Sequence, residues 1–151
     1  MSASPEMLLL VMNSLPHGPE FRFVDRMLSL TPGVKGAGEY RVRGDEYYLR
    51  GHLPGEPIFP GVLLVEAGAQ VAGIVAQEDP LNPTFPRLKL TALRAVKILG
   101  SARPGEILKI EAVITGRLGS MIQAEVFAFI ADTKVLSAEL TLSGNRPAEK
   151  P

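Results

Sequence analysis

One run of the chain is apolar or small on every side. Between residues 62 and 76 only Glu66 and Gln70 break it. A helix that is apolar all round must be buried. The preceding loop is punctuated by Pro54, Gly55, Pro57, Pro60 and Gly61. Pro60 suits a helix start, where its missing N–H would have no intrahelical partner in any case. The pattern therefore predicts a long buried helix over residues 62–76.

Elsewhere the pattern turns to alternation. Residues 21–30 and 36–43 read as strands joined through the turn Thr31-Pro32-Gly33, and a short aromatic segment, 45–49, leads into the loop. Beyond Pro80 and Pro83, residues 87–99, 107–115, 121–130 and 134–142 read as four more strands. In the second of these, Ile107, Lys109, Glu111 and Val113 oppose Leu108, Ile110, Ala112 and Ile114. Residues 5–12 predict a short helix, and 145–151 a frayed tail. The expected architecture is a single α+β domain over 1–151, with about six mostly antiparallel strands curled around the long helix. Ala67, Gly68, Ala69, Ala72 and Gly73 would let the sheet approach that helix closely. An exposed strand edge would favour pairing with a second copy.

Composition narrows the function classes. The chain has 151 residues, enough for one sizeable core, and its hydrophobic fraction of 46% argues for a globular fold. Sixteen basic residues balance sixteen acidic ones, so there is no electrostatic footprint for nucleic acid. Cysteine is absent, which excludes disulfides and thiol nucleophiles. With His17 and His52 the only histidines, no metal site is expected. The apolar stretch at 7–12 lacks a basic leader, and 61–76 is shorter than a membrane span and carries Glu66. A soluble, cytoplasmic protein with no membrane partner is expected.

Two polar residues then stand out. A carboxylate in a core helix costs several kcal/mol unless it is paired, protonated or functional, which makes Glu66 the anomaly to explain. Gln70, four residues on, shares its helix face and can orient it. His52 lies in the loop that feeds the helix. His17, in a proline-flanked turn, reads as structural rather than catalytic.

The motif Gly51-His52-Leu53-Pro54, Pro57, Phe59-Pro60-Gly61-Val62, Glu66-Ala67 and Gln70 resembles the signature of the 3-hydroxyacyl-acyl-carrier-protein dehydratases of FabZ type. Leu15-Pro16-His17, Phe21 or Phe23, and Val24-Asp25-Arg26 resemble an earlier block of the same family, with Gly18-Pro19-Glu20 standing where the family has Arg and then Tyr-Pro. The resemblance covers residues 13–78. It implies the hot-dog fold and a lyase that turns 3-hydroxyacyl thioesters into trans-2-enoyl thioesters without a cofactor. The substrate would arrive on the phosphopantetheine of acyl carrier protein. In the family the facing His and Glu come from different subunits, which implies a homodimer with shared sites, alone or as a trimer of dimers.

Carried onto this chain, His52 is the expected base and Glu66 the expected acid or water orienter. The backbone N–H of Gly61 or Val62, at a helix start, would face the thioester oxygen, with Gln70 as an orienting residue. Phe59, Phe23 and Leu53 are expected walls of the substrate pocket. The bases Arg87, Lys89, Arg94, Lys97 and Arg103 could face an acidic carrier. The alternatives are a hot-dog thioesterase, revealed by release of free thiol, and a non-catalytic acyl-binding subunit, revealed by binding without turnover. An isomerising dehydratase fits less well, because that subfamily typically has Asp at the position of Glu66.

Overall fold

A 17-residue helix, α2 (Gly61–Gln77), organises the fold, as expected. The structure is a computed structural model and describes residues 2–52, 55–82 and 84–144. The expected pocket residue Leu53 and the tail 145–151 lie outside the described residues. Helix α2 starts at Pro60, whose carbonyl accepts from the N–H groups of Leu63 (2.9 Å) and Leu64 (3.3 Å). At its other end Arg117 Nη2 donates to the Ala76 carbonyl at 3.1 Å, satisfying one of the orphan acceptors of the last turn. No helix among the described residues is long and apolar enough to cross a membrane.

Six strands follow the alternation read from the sequence: β1 (Arg26–Thr31), β2 (Lys35–Arg41), β3 (Lys89–Ile98), β4 (Ile107–Leu118), β5 (Met121–Ile130) and β6 (Thr133–Ser143). They form one open sheet in the order β1-β2-β4-β5-β6-β3, with every neighbouring pair antiparallel. Leu108, Ile110 and Ala112 of β4 alternate inward with Ile122, Ala124 and Val126 of β5 and Leu136, Ala138 and Leu140 of β6. The register sets large against small, pairing Ile110 with Ala128 and Ala128 with Leu136. The helix lies on this inward face. Helix α2 packs against β2, β4, β5 and β6, with the N-terminal segment covering another of its sides.

Close approach is purchased locally with glycine. A Cβ on Gly68 would stand 2.7 Å from Val126 Cγ2, and one on Gly36 of β2 would stand 2.8 Å from Val75 Cγ2. Gly73 differs from the expectation. A Cβ there would meet nothing within 4 Å, so it faces open space rather than the sheet.

The first strand is shorter than predicted. Residues 22–25 lie outside the strand, with the Asp25 N–H donating to the Glu39 carbonyl of β2 at 2.7 Å, and Pro19–Phe21 form a short 3-10 helix. Likewise the N-terminal helix α1 (Pro5–Leu10) gives way to a 3-10 helix at Val11–Ser14. Strand β3 lies at the sheet edge and pairs only with β6. Ala95 takes a positive φ of 51°, and the register shifts between Arg94 and Lys97, marking a bulge. Leu93 and Ile98 of this edge strand are about half exposed.

Candidate active site

Glu66 sits on α2, half-buried, where the segment after Leu15 crosses the helix. Gln70, one turn on and 2% exposed, stitches that segment down. Its Oε1 accepts from the Phe23 N–H at 2.8 Å, and its Nε2 donates to the Phe21 carbonyl at 2.8 Å. A longer contact of 3.4 Å runs from the same Nε2 to Glu66 Oε1. The amide of Gln70 is thus satisfied at both ends. It answers mainly to the backbone of residues 21–23, and through them it holds that segment against the carboxylate.

The same crossing brings His17 onto Glu66. Imidazole Nε2 lies 3.3 Å from Glu66 Oε1. The turn is built by residues 18–21. Gly18 starts the 3-10 helix, Pro19 fixes its first turn, and the Phe21 N–H donates to the Gly18 carbonyl at 3.0 Å. Arg22 Nε then donates to the His17 carbonyl at 2.8 Å, and the Phe21 ring stands against the imidazole with centroids 6.0 Å apart.

A cavity of about 240 Å³ opens beside Glu66. It follows one face of α2 past Ala69 and Gly73 to Gln77, with Leu88 and Leu142 opposite. At the far end the Gln77 side chain is clamped to the Phe85 backbone, donating to its carbonyl at 2.6 Å and accepting from its N–H at 3.0 Å. The cavity therefore has a carboxylate at one end and an amide at the other, with Leu15, Ala69, Leu88, Leu90 and Leu142 supplying the apolar part of its walls.

His52 is held apart from this group. It is half-buried in its loop, with Nδ1 3.0 Å from the Ile58 carbonyl. A carbonyl only accepts, so Nδ1 donates, and Nε2 is the ring nitrogen left for proton transfer. No hydrogen bond or ion pair joins His52 to Glu66 among the described residues of one chain. Gly61 packs under β3, where an added Cβ would stand 2.9 Å from Ile98 Cδ1. The N–H groups of Gly61 and Val62 find no acceptor among the described residues, as first-turn donors do not, and Val62 is largely exposed.

The FabA-like domain model matches residues 15–139. The chain belongs to the FabA-like family. The 3-hydroxyacyl-acyl-carrier-protein dehydratase FabZ of Chloroflexus aggregans is 34% identical over 140 residues, 92% of this chain and 96% of that protein. The FabZ dehydratase of Thermoanaerobacter sp. X514 is 35% identical over 127 residues, 83% of this chain and 88% of its own length. Within the family the chain is of FabZ type. Among solved structures, the dehydratase heterocomplex of Xenorhabdus doucetiae superposes with a TM-score of 0.76 at 17% identity, covering 92% of this chain and 93% of that one. The fold is the hot-dog fold expected from the sequence.

The FabA-like span includes His17, His52, Glu66 and Gln70 alike. Phe23 and Phe59, expected as pocket walls, are each 1% exposed and lie in an aromatic cluster with Tyr40 and Tyr48, their ring centroids 5.6–6.0 Å apart. Neither lines the cavity beside Glu66. The cluster stands behind the signature loop, and Phe59 ties that loop to Ala102 through a 2.8 Å backbone bond. Tyr40 and Tyr48 share a hydroxyl contact of 2.9 Å. Burial pushes both phenols above their ordinary range, and for Tyr48 the Tyr40 bond and Glu46 add to it, so both stay protonated. Sequence reasoning did not single out this tyrosine pair, and it read His17, in its proline-flanked turn, as structural rather than catalytic. The one available signal for His17 was its place in the earlier family block.

Proposed function

We propose that this chain is a lyase that removes water from 3-hydroxyacyl thioesters on acyl carrier protein, forming trans-2-enoyl thioesters in fatty-acid or related lipid synthesis in the cytoplasm. The observation that carries the proposal is a FabZ-type chain holding a histidine anchored through Nδ1 and a half-buried carboxylate at one end of a cavity. His52 Nε2 takes the proton from C2 of the substrate. As the C3–O bond breaks, Glu66 delivers a proton to the departing hydroxyl, which leaves as water. The electron pair from the C2–H bond becomes the new double bond. The N–H groups of Gly61 and Val62 receive the negative charge growing on the thioester oxygen, an effect typically worth about 10²–10³ in rate per donor. Positioned acid–base groups supply about 10²–10⁴ each. No cofactor enters this chemistry.

His52 and Glu66 of one chain do not touch, which supports a site completed by a second copy. The edge strand β3 is the surface proposed for that pairing, because it presents Leu93, Val96 and Ile98 to solvent along with unpaired backbone. Phe23 and Phe59 enter as the rigid backing of the site, and Gln70 as the residue that orients Glu66. Arg87, Lys89, Lys97 and Arg103 are exposed and suit an acidic carrier, while Arg94 pairs with Glu139 at 3.3 Å.

The test follows enoyl absorbance with a 3-hydroxyacyl-carrier thioester. Turnover that collapses in both His52→Ala and Glu66→Gln, each still folded, is the expected result. Release of free thiol from a saturated acyl thioester would make the protein a thioesterase instead. Acyl binding without turnover would make it a binding subunit.

A further inference from the structure

His17 has no part in the proton transfers assigned to His52 and Glu66, yet it approaches the Glu66 carboxylate as closely as any side chain. Its Nε2 stands 3.3 Å from Glu66 Oε1, against 3.4 Å for Gln70 Nε2. Both donors converge on the same oxygen, Oε1. Its Nδ1 is buried and has no hydrogen-bond partner among the described residues. A buried N–H without an acceptor costs more than a bare lone pair beside apolar atoms, which favours the tautomer that carries its proton on Nε2. With a proton on Nε2, the imidazole presents a donor to Glu66 Oε1 across the 3.3 Å contact. A histidine kept only for packing would be expected to satisfy both nitrogens.

The backbone under His17 is fixed as firmly as the ring. Arg22 Nε holds its carbonyl at 2.8 Å, and Gln70 holds the Phe21 carbonyl one short helix away. His17, Glu66 and Gln70 line the same cavity.

We propose that His17 is a positioning residue for Glu66, donating Nε2–H to Oε1 so that the transferable proton resides on Oε2 and faces the substrate. The inference rests on the reading of Glu66 as the proton donor. Two donors on Oε1 occupy its lone pairs, which leaves Oε2 as the oxygen that takes and releases the proton. A carboxyl free to rotate would lose that selection, and misplacement of a reacting group by about 1 Å costs about 10²-fold.

The experiment compares His17→Ala, His17→Asn and His17→Gln by enoyl absorbance, each also in the Glu66→Gln background, with melting temperatures measured alongside. Glutamine places an amide nitrogen where Nε2 stands, whereas asparagine places one near Nδ1. The expected result is a kcat lowered roughly 10- to 100-fold in His17→Ala and His17→Asn, with KM changed less than about 3-fold and most of the rate recovered in His17→Gln. In the Glu66→Gln background His17→Ala should cause no further loss, because it acts through that carboxylate. Full activity in His17→Ala would overturn the role, and so would equal losses in the Asn and Gln variants. Where His17→Ala does not fold, the Asn and Gln pair decides. Wild-type turnover in Glu66→Gln would instead overturn the assignment of Glu66 itself, and the role of His17 with it.

Discussion

Gly73 offers a direct way to ask whether the cavity beside Glu66 holds the acyl chain. It lines that cavity, and a Cβ there meets nothing within 4 Å. Gly73→Ala adds one carbon to the void and Gly73→Val adds three. Each displaced methylene of the acyl chain forfeits about 0.8 kcal/mol of burial, or about 4-fold in affinity. The valine variant should therefore lose about 2.4 kcal/mol, about 60-fold in kcat/KM, on substrates long enough to pass Gly73. Short substrates that stop near Glu66 should be unaffected. Stability should move the other way, because alanine in place of a mid-helix glycine gains about 0.5–1 kcal/mol. The assay is kcat/KM for 3-hydroxyacyl thioesters of increasing length, with thermal melts of the same proteins. Equal losses at every length, or no loss on the longest, would refute the acyl assignment of this cavity.

Gln70→Leu keeps the volume but strands the Phe23 N–H and the Phe21 carbonyl, at about 1–3 kcal/mol each. A melting temperature lower by about 5–15 °C is expected, and a change within about 1 °C would mean that the clamp is not needed. Asp79 accepts from the Leu81 N–H and Asn82 Nδ2, both at 2.8 Å, with Arg117 at 3.8 Å. The Leu81 bond foremost, then the other two partners, hold its carboxyl below the ordinary 3.8. Its contribution to stability is therefore present above about pH 4 and is lost as the pH falls through the lower folded value. Melting of Asp79→Asn should fall below wild type at pH 7, with the gap closing as the pH falls through that lowered value. A gap that widens in acid would reverse the sign.

Long-range geometry marks the limit of what the sequence disclosed. Helix α2 was readable because residues 62–76 offer no polar face, and β4 to β6 were readable because their alternation matches the pleat. Residues 21–25 alternate too, but for another reason. Phe23 turns into the aromatic cluster while its backbone bonds to Gln70, so the apparent strand begins only at Arg26. Gly68 and Gly73 look alike in sequence, yet one fits against Val126 and the other borders a cavity. That difference depends on helix phase against the sheet. His52 and Glu66 stood out as polar residues in apolar surroundings. The contact of His17 with Glu66 did not, since it needs the 3-10 helix at Pro19–Phe21 to fold the turn back onto α2.

The most direct measurement of the central claim mixes two inactive proteins. His52→Ala chains and Glu66→Gln chains are unfolded together, refolded, and assayed by enoyl absorbance. In a mixed dimer one site joins an intact His52 to an intact Glu66 across the interface, while the other site lacks both. Random pairing makes about half of the dimers mixed, so about a quarter of wild-type activity should return. No activity above the separate variants, with mixed dimers shown to form, would contradict a site shared between two copies.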